Sequence, residues 1–266
     1  LTVLPDYLGF GANPGIHPYV HADTQASAAI DMMRAVRQAA RFGGYELNGQ
    51  VFLTGYSQGG HAAVATMREI ERNHLDEFNL VMTAPGSGPY SLANVQFRFA
   101  SGNPQYPTRG YLPFLLLGYQ EIYGNLYRSL DEVFVPPYNE MIPELFDREH
   151  TMGEINRALP ANWREMFVPE YLEAVETKPW HPARRALRDN DLLNFRPVTP
   201  LVMFYCTMDE QVDYRNALWA QFYYKHVQKA TSRVTAIRVG PYEHGGICVP
   251  ISLALARLNF DYLRTR

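Results

Sequence analysis

In Gly55-Tyr56-Ser57-Gln58-Gly59 a serine is set between two glycines, each two positions away. A serine hydroxyl is a weak nucleophile until a sharp turn exposes it and a neighbouring base takes its proton. The pattern G-x-S-x-G is weak by itself, because chance places it in about one chain in ten of this length. Its context makes it informative. The apolar run Val51-Phe52-Leu53-Thr54 reads as a strand entering the motif, and Ala62, Ala63, Val64, Ala65, Met67 and Ile70 read as a helix leaving it. A serine at that junction is expected in a strained backbone conformation, with its hydroxyl at the helix N-terminus and the glycines clearing the close approach of strand and helix. The alternative is an idle serine in a glycine-rich strand-to-helix turn.

Acyl transfer from such a serine needs a base, and the base needs a carboxylate to fix its tautomer. His244 lies in Tyr242-Glu243-His244-Gly245-Gly246, just after the last apolar strand, and Asp209 lies in Cys206-Thr207-Met208-Asp209-Glu210-Gln211-Val212, just after the strand before it. Both fall after the serine, in the order Ser, Asp, His. Glu210 and Asp213 compete for the role of acid. Among competing histidines, His17 and His21 precede the nucleophile and His61 lies inside its helix. The backbone N–H of Gln58, the residue after the nucleophile, is the candidate donor to the oxyanion that forms on attack.

The elements that must position these residues alternate along the chain. Thr2 to Leu4 reads as a short strand, Thr24 to Gly43 as a helix, Val51 to Thr54 as a strand and Asn79 to Thr83 as another. After a long interruption come strand Leu201 to Tyr205, helix Tyr214 to Lys229, strand Val234 to Val239 and helix Ile247 to Leu263. This alternation predicts an α/β fold with a doubly wound, mostly parallel sheet, whose sites sit beyond the carboxyl ends of the strands. The interruption, with helical stretches Leu115 to Leu130 and Ile142 to Ala158 between proline-rich joints, carries no strand pattern. Residues 1–103 and 195–266 are therefore expected to form the core, and 104–194 a helical cap over the Ser57 rim that contributes no triad residue. The aromatics Tyr111, Phe114, Tyr119, Tyr123 and Tyr127 recur at near-helical spacing, which fits packing within that cap better than the lining of an acyl pocket.

Bulk composition narrows the class. A chain of 266 residues with net charge −3 carries no electrostatic footprint for nucleic acid or an anionic membrane, and no apolar run approaches a membrane span. His17 and His21 have only Asp23 nearby as a third ligand, so packing explains them better than a metal. The two cysteines, Cys206 and Cys248, are either buried thiols or one bridge. Their places beside the acid and base loops favour a bridge if the two strands are neighbours, and a bridge would point to a secreted or periplasmic location.

The stretch from Pro5 to Arg37, Gly55-Tyr56-Ser57-Gln58-Gly59-Gly60, Cys206-Thr207-Met208-Asp209-Glu210-Gln211-Val212 and His244-Gly245-Gly246 together resemble the α/β-hydrolase superfamily, and within it bacterial esterases and secreted lipases of the fungal lipase A type. The resemblance implies hydrolysis of small carboxylic esters without a cofactor, with Ser57 as nucleophile, Asp209 as acid and His244 as base. A peptidase or acyltransferase would use the same triad, and a non-catalytic domain retaining the fold is the reading from another class. One departure stands out. The second oxyanion donor belongs on a loop after an earlier strand, so that strand is expected upstream of Leu1, with Tyr7 or Gly9 as substitutes within the chain, and the chain is expected to be N-terminally incomplete.

Overall fold

The computed structural model describes residues 1–12 and 15–264; Asn13 and Pro14, inside the Pro5 to Arg37 stretch, lie outside them. The chain divides into two compact units, a sheet unit of Leu1–Tyr7, Ala22–Ser91 and Asp191–Arg266, and a helical unit of Leu8–His21 and Leu92–Asn190. In chain order the sheet unit begins with α1 (Ala22–Phe42), β1 (Gln50–Leu53), α2 (Gln58–Asn73) and β2 (Asn79–Thr83). The helical unit follows with α3 (Phe97–Ser101), α4 (Tyr111–Tyr123), α5 (Tyr138–Leu145), α6 (Met152–Ala158), α7 (Pro169–Thr177) and α8 (Pro182–Asp189). The chain then returns to the sheet unit with β3 (Leu201–Cys206), α9 (Arg215–His226), β4 (Val234–Gly240) and α10 (Cys248–Arg264).

The strands lie in the order β1-β2-β3-β4, and every neighbouring pair is parallel. Parallel strands are covered on both faces, and the alternation along β3 shows how. Leu201 and Met203 join a buried cluster with Ile30 of α1, Met67 and Ile70 of α2, and Ala220 and Tyr224 of α9. Val202 and Phe204 point the other way, into a cluster with Ala256 of α10. Between β1 and β2 the register shifts, Val51 pairing with Leu80 and Phe52 with Met82, so Val81 is skipped. That extra residue puts Leu80 and Met82 on opposite faces, although two residues apart they would otherwise share one.

Thr2 to Leu4 is not a strand. Leu1 and Leu4 are exposed, and β1 pairs only with β2 among the described residues. A strand exists through its ladder of hydrogen bonds, and no described strand offers these residues one.

The helical unit holds its own core, with Tyr119, Val133, Phe134, Ile142, Trp163 and Met166 buried in one cluster. The single helix expected from Leu115 to Leu130 begins earlier and stops at Gly124, which adopts φ 66° where a side chain would be strained. The stretch from Ile142 to Ala158 is two helices. Asp147 accepts the backbone N–H groups of Glu149 and His150 at 2.8 and 3.0 Å, turning the chain after α5. Thr151 and Glu154 then form a reciprocal capping box that starts α6.

Candidate active site

Ser57 stands between the β1 segment and α2 with φ 58° and ψ −119°, a conformation that costs a non-glycine residue about 1–3 kcal/mol. The turn is pinned on both sides: the Ser57 N–H donates to the Gly86 carbonyl at 2.9 Å, and the N–H groups of Gly60 and His61 donate to the Ser57 carbonyl at 2.9 and 3.2 Å. A serine at a helix N-cap ordinarily uses its hydroxyl to bind the first helical amides. Ser57 makes no such bond.

Close approach explains the glycines, with one change to the expectation. A Cβ on Gly55 would lie 2.2 Å from the Gly59 carbonyl oxygen, and one on Gly60 would lie 2.7 Å from the Gly86 carbonyl oxygen. A Cβ on Gly59 itself would meet nothing within 4 Å. The crowded positions are therefore Gly55 and Gly60; Gly59 contributes the carbonyl that Gly55 must clear. Gln58 is the first residue of α2, at the positive end of its dipole.

Asp209 follows β3 and His244 follows β4, and these strands are paired neighbours. The Asp209 carboxylate accepts the N–H groups of Gln211 and Val212 at 3.1 and 2.8 Å, which fixes its orientation. Its two oxygens lie 2.9 and 2.8 Å from His244 Nδ1. The two side chains are 1% and 7% exposed, so the contact is shielded from water. A carboxylate there holds the proton on Nδ1 and leaves Nε2 as the basic nitrogen. The elbow reaches the same histidine through Tyr56: its ring centroid is 5.1 Å from that of His244, and its hydroxyl donates to the His244 carbonyl at 2.8 Å. Burial pushes the Tyr56 hydroxyl up to about 12, so it remains a donor.

The rival acids have other partners. Glu210 accepts the backbone N–H of His244 at 3.0 Å. Burial raises its pKa, but this hydrogen bond and its other partners outweigh that and hold the carboxyl below its ordinary range. Asp213 accepts the Arg215 backbone N–H and pairs with the Arg215 guanidinium at the start of α9. Cys206 and Cys248 form a disulfide with Cα atoms 6.2 Å apart, joining the end of β3 to the start of α10.

The remaining sequence candidates serve packing. His17 Nδ1 lies 2.7 Å from the Leu8 carbonyl oxygen and its ring stacks on Phe10, while His21 meets the rings of Tyr119 and Tyr123 edge-on. His61 Nδ1 lies 3.0 Å from Gln25 Oε1 in the sheet unit. Phe114 stacks on Tyr19 and Phe146, and Tyr111 on Tyr19. Tyr119, Tyr123 and Tyr127 belong to the same helical core. Sequence reasoning left the contacts of Tyr56 and Glu210 with His244 unread. The one available signal was adjacency, since each neighbours a proposed triad residue.

With this geometry in view, three solved structures are informative. One from Legionella pneumophila is 28% identical over 98% of this chain and 68% of its own, with a TM-score of 0.86. The rice cell wall degrading esterase LipA from Xanthomonas oryzae is 32% identical over 95% of this chain and 66% of its own, at 0.80. Candida antarctica lipase A, 18% identical over 92% of this chain and 56% of its own at 0.69, shares the fold. The chain thus spans about two thirds of the length of the two bacterial proteins. No curated protein matches the sequence. The secretory lipase family matches residues 1–250, and the chain belongs to that family, hydrolases of the lipase and esterase type built on the α/β-hydrolase fold.

Proposed function

We propose that the protein is a serine carboxylic-ester hydrolase in which Ser57, His244 and Asp209 form the triad. The observation that carries this reading is the buried, two-oxygen grip of Asp209 on His244 Nδ1, on a unit whose elbow holds Ser57 in a strained turn with its hydroxyl unused by the helix. Ser57 Oγ attacks the ester carbonyl carbon while His244 Nε2 takes its proton, and the Gln58 N–H steadies the oxyanion. Collapse expels the alcohol, which leaves with the proton from His244. Water, deprotonated by His244, then attacks the acyl-enzyme, releasing the acid and returning the proton to Ser57. Asp209, held against Nδ1, stabilises the imidazolium.

Esters are the favoured acyl donors because the Xanthomonas relative is an esterase and the family is one of lipases. The helical unit, rich in packed aromatic residues, is assigned the selectivity for a hydrophobic acyl or aryl part and no triad residue. Secretion is the favoured location, supported by the family and by the disulfide. No helix among the described residues is long and apolar enough to cross a membrane. The test is labelling with a fluorophosphonate together with turnover of a p-nitrophenyl ester series. A single adduct on Ser57, lost in Ser57→Ala and His244→Ala, is expected. A folded protein with no adduct and no turnover would favour a binding role for the fold.

A further inference from the structure

A general base must be fixed in position as well as in tautomer, since a displacement of about 1 Å can lower a rate about a hundredfold. Asp209 fixes the ring of His244, but a ring hangs from its backbone, and this backbone lies in a loop after β4. On its C-terminal side are Gly245 and Gly246, with open space where an added Cβ would point, and the next anchor is the Cys248 disulfide. Both backbone polar groups of His244 are instead taken by side chains. Glu210 Oε2 accepts its N–H at 3.0 Å, and the Tyr56 hydroxyl donates to its carbonyl at 2.8 Å. Glu210 directly follows Asp209 in the chain, and Tyr56 directly precedes Ser57.

We propose that Glu210 and Tyr56 are positioning residues for the catalytic base, gripping the His244 backbone from the acid loop and from the nucleophile elbow. The inference rests on the triad reading given above. The loop Asp209-Glu210 then holds His244 at two points, ring and amide, while Tyr56 ties its carbonyl to the turn carrying Ser57. His244 cannot move relative to the nucleophile without breaking one of these bonds. The Tyr56 ring is itself braced against the Gly86 backbone, where an added Cβ would lie 2.8 Å from the ring. Neither residue takes or gives a proton in the reaction. Their contribution lies in holding the base in its reactive geometry, a requirement sharper in the transition state than for substrate binding.

The test compares Glu210→Ala, Glu210→Gln and Tyr56→Phe with Ser57→Ala and His244→Ala, using p-nitrophenyl butyrate and the rate of fluorophosphonate labelling. Glu210→Ala is expected to lower kcat about ten- to a hundredfold with KM within about twofold. Glu210→Gln keeps an acceptor for the His244 N–H and is expected to recover most of that loss. Tyr56→Phe keeps the ring and loses only the hydroxyl, so it should fold and still lower kcat about tenfold. Labelling rates should fall in parallel with kcat. The proposal is overturned if Glu210→Ala and Tyr56→Phe keep parental kcat, if Glu210→Gln is as impaired as Glu210→Ala, or if the effect falls on KM alone. In each of those cases inactive Ser57→Ala and His244→Ala leave the triad standing. Parental activity in His244→Ala would instead remove the triad and this proposal together.

Discussion

The sheet unit is organised by a backbone ladder, and the helical unit by its apolar core and side-chain latches. In the sheet unit, backbone ladders fix four parallel strands, and residues far apart in sequence arrive at strand ends on well-defined vectors. Ser57, Asp209 and His244 all depend on this, each lying just beyond a strand. The helical unit is built from helices of 5 to 13 residues, lengths at which a helix alone is marginal in water. Side chains latch those helices to distant carbonyls. Arg109 donates to the carbonyls of Asn156 and Leu159, the Trp163 indole to Asn103, and Arg184 to Ala93. A ladder tolerates few changes near its tips, whereas a latched bundle can exchange one latch or helix for another. The proposed chemistry sits on the first kind of scaffold, and the proposed selectivity on the second.

The sharpest way to break this contrast is to remove chemistry while leaving both scaffolds intact. Ser57→Ala and His244→Ala should each lower kcat by at least about 10⁴-fold, and the double variant should be little worse, with Ser57→Ala melting no lower than the parent. A double variant whose loss multiplies would show that the residues do not act as a unit. Next in size is the cross-link of the sheet unit. Replacing both Cys206 and Cys248 by serine opens a loop of sequence separation 42 and should cost about 4 kcal/mol in denaturant unfolding on the chain-entropy account. An unchanged midpoint would leave the ladder alone as the support of that edge.

The latches come third. Arg109→Met preserves much of the side-chain volume but withdraws donors from the Asn156 and Leu159 carbonyls, and should cost about 1–3 kcal/mol. If it costs nothing, side-chain latching is not what holds the helical unit. The smallest effect is at Asp147. Hydrogen bonds from the backbone of His150, then of Glu149, with the His150 side chain adding to them, hold its carboxyl down to about 2. A depressed carboxylate pKa adds stability above its unfolded value near 4, and that stability is lost as pH falls from about 4 towards 2. The difference in melting temperature between the parent and Asp147→Ala should therefore be full at pH 7, clearly smaller at pH 2.5, and gone only below about pH 2.

The same contrast explains what was legible in the sequence. Apolar runs alternating with helical stretches gave away β1 to β4, because a strand buried on both faces leaves a continuous hydrophobic signature. The order of Ser57 and His244 relative to those strands pointed to the nucleophile and base, while Asp209 was preferred over Glu210 and Asp213 through the family resemblance. Thr2 to Leu4 carried the same signature without a ladder to join, and composition cannot report a missing partner. In the helical unit, the ends of α4 and α5 depend on Gly124 in a left-handed conformation and on the Asp147 side chain, single-residue events inside otherwise helical text. The capping box at Thr151 and Glu154 was readable in principle. The grip of Glu210 and Tyr56 on His244 left only their adjacency to Asp209 and Ser57 as a signal, because a side chain bonded to a distant backbone leaves no period and no motif.

Ser57 also sets folding and natural selection against each other. At φ 58° its backbone suits glycine, and its hydroxyl does not repay the helix by capping it. Ser57→Gly should therefore raise the stability of the fold by about 1 kcal/mol while removing the proposed nucleophile. A lineage selected only for robustness would drift to glycine here. Serine at such a position is a residue that the fold does not ask for, which is what the proposed nucleophile requires.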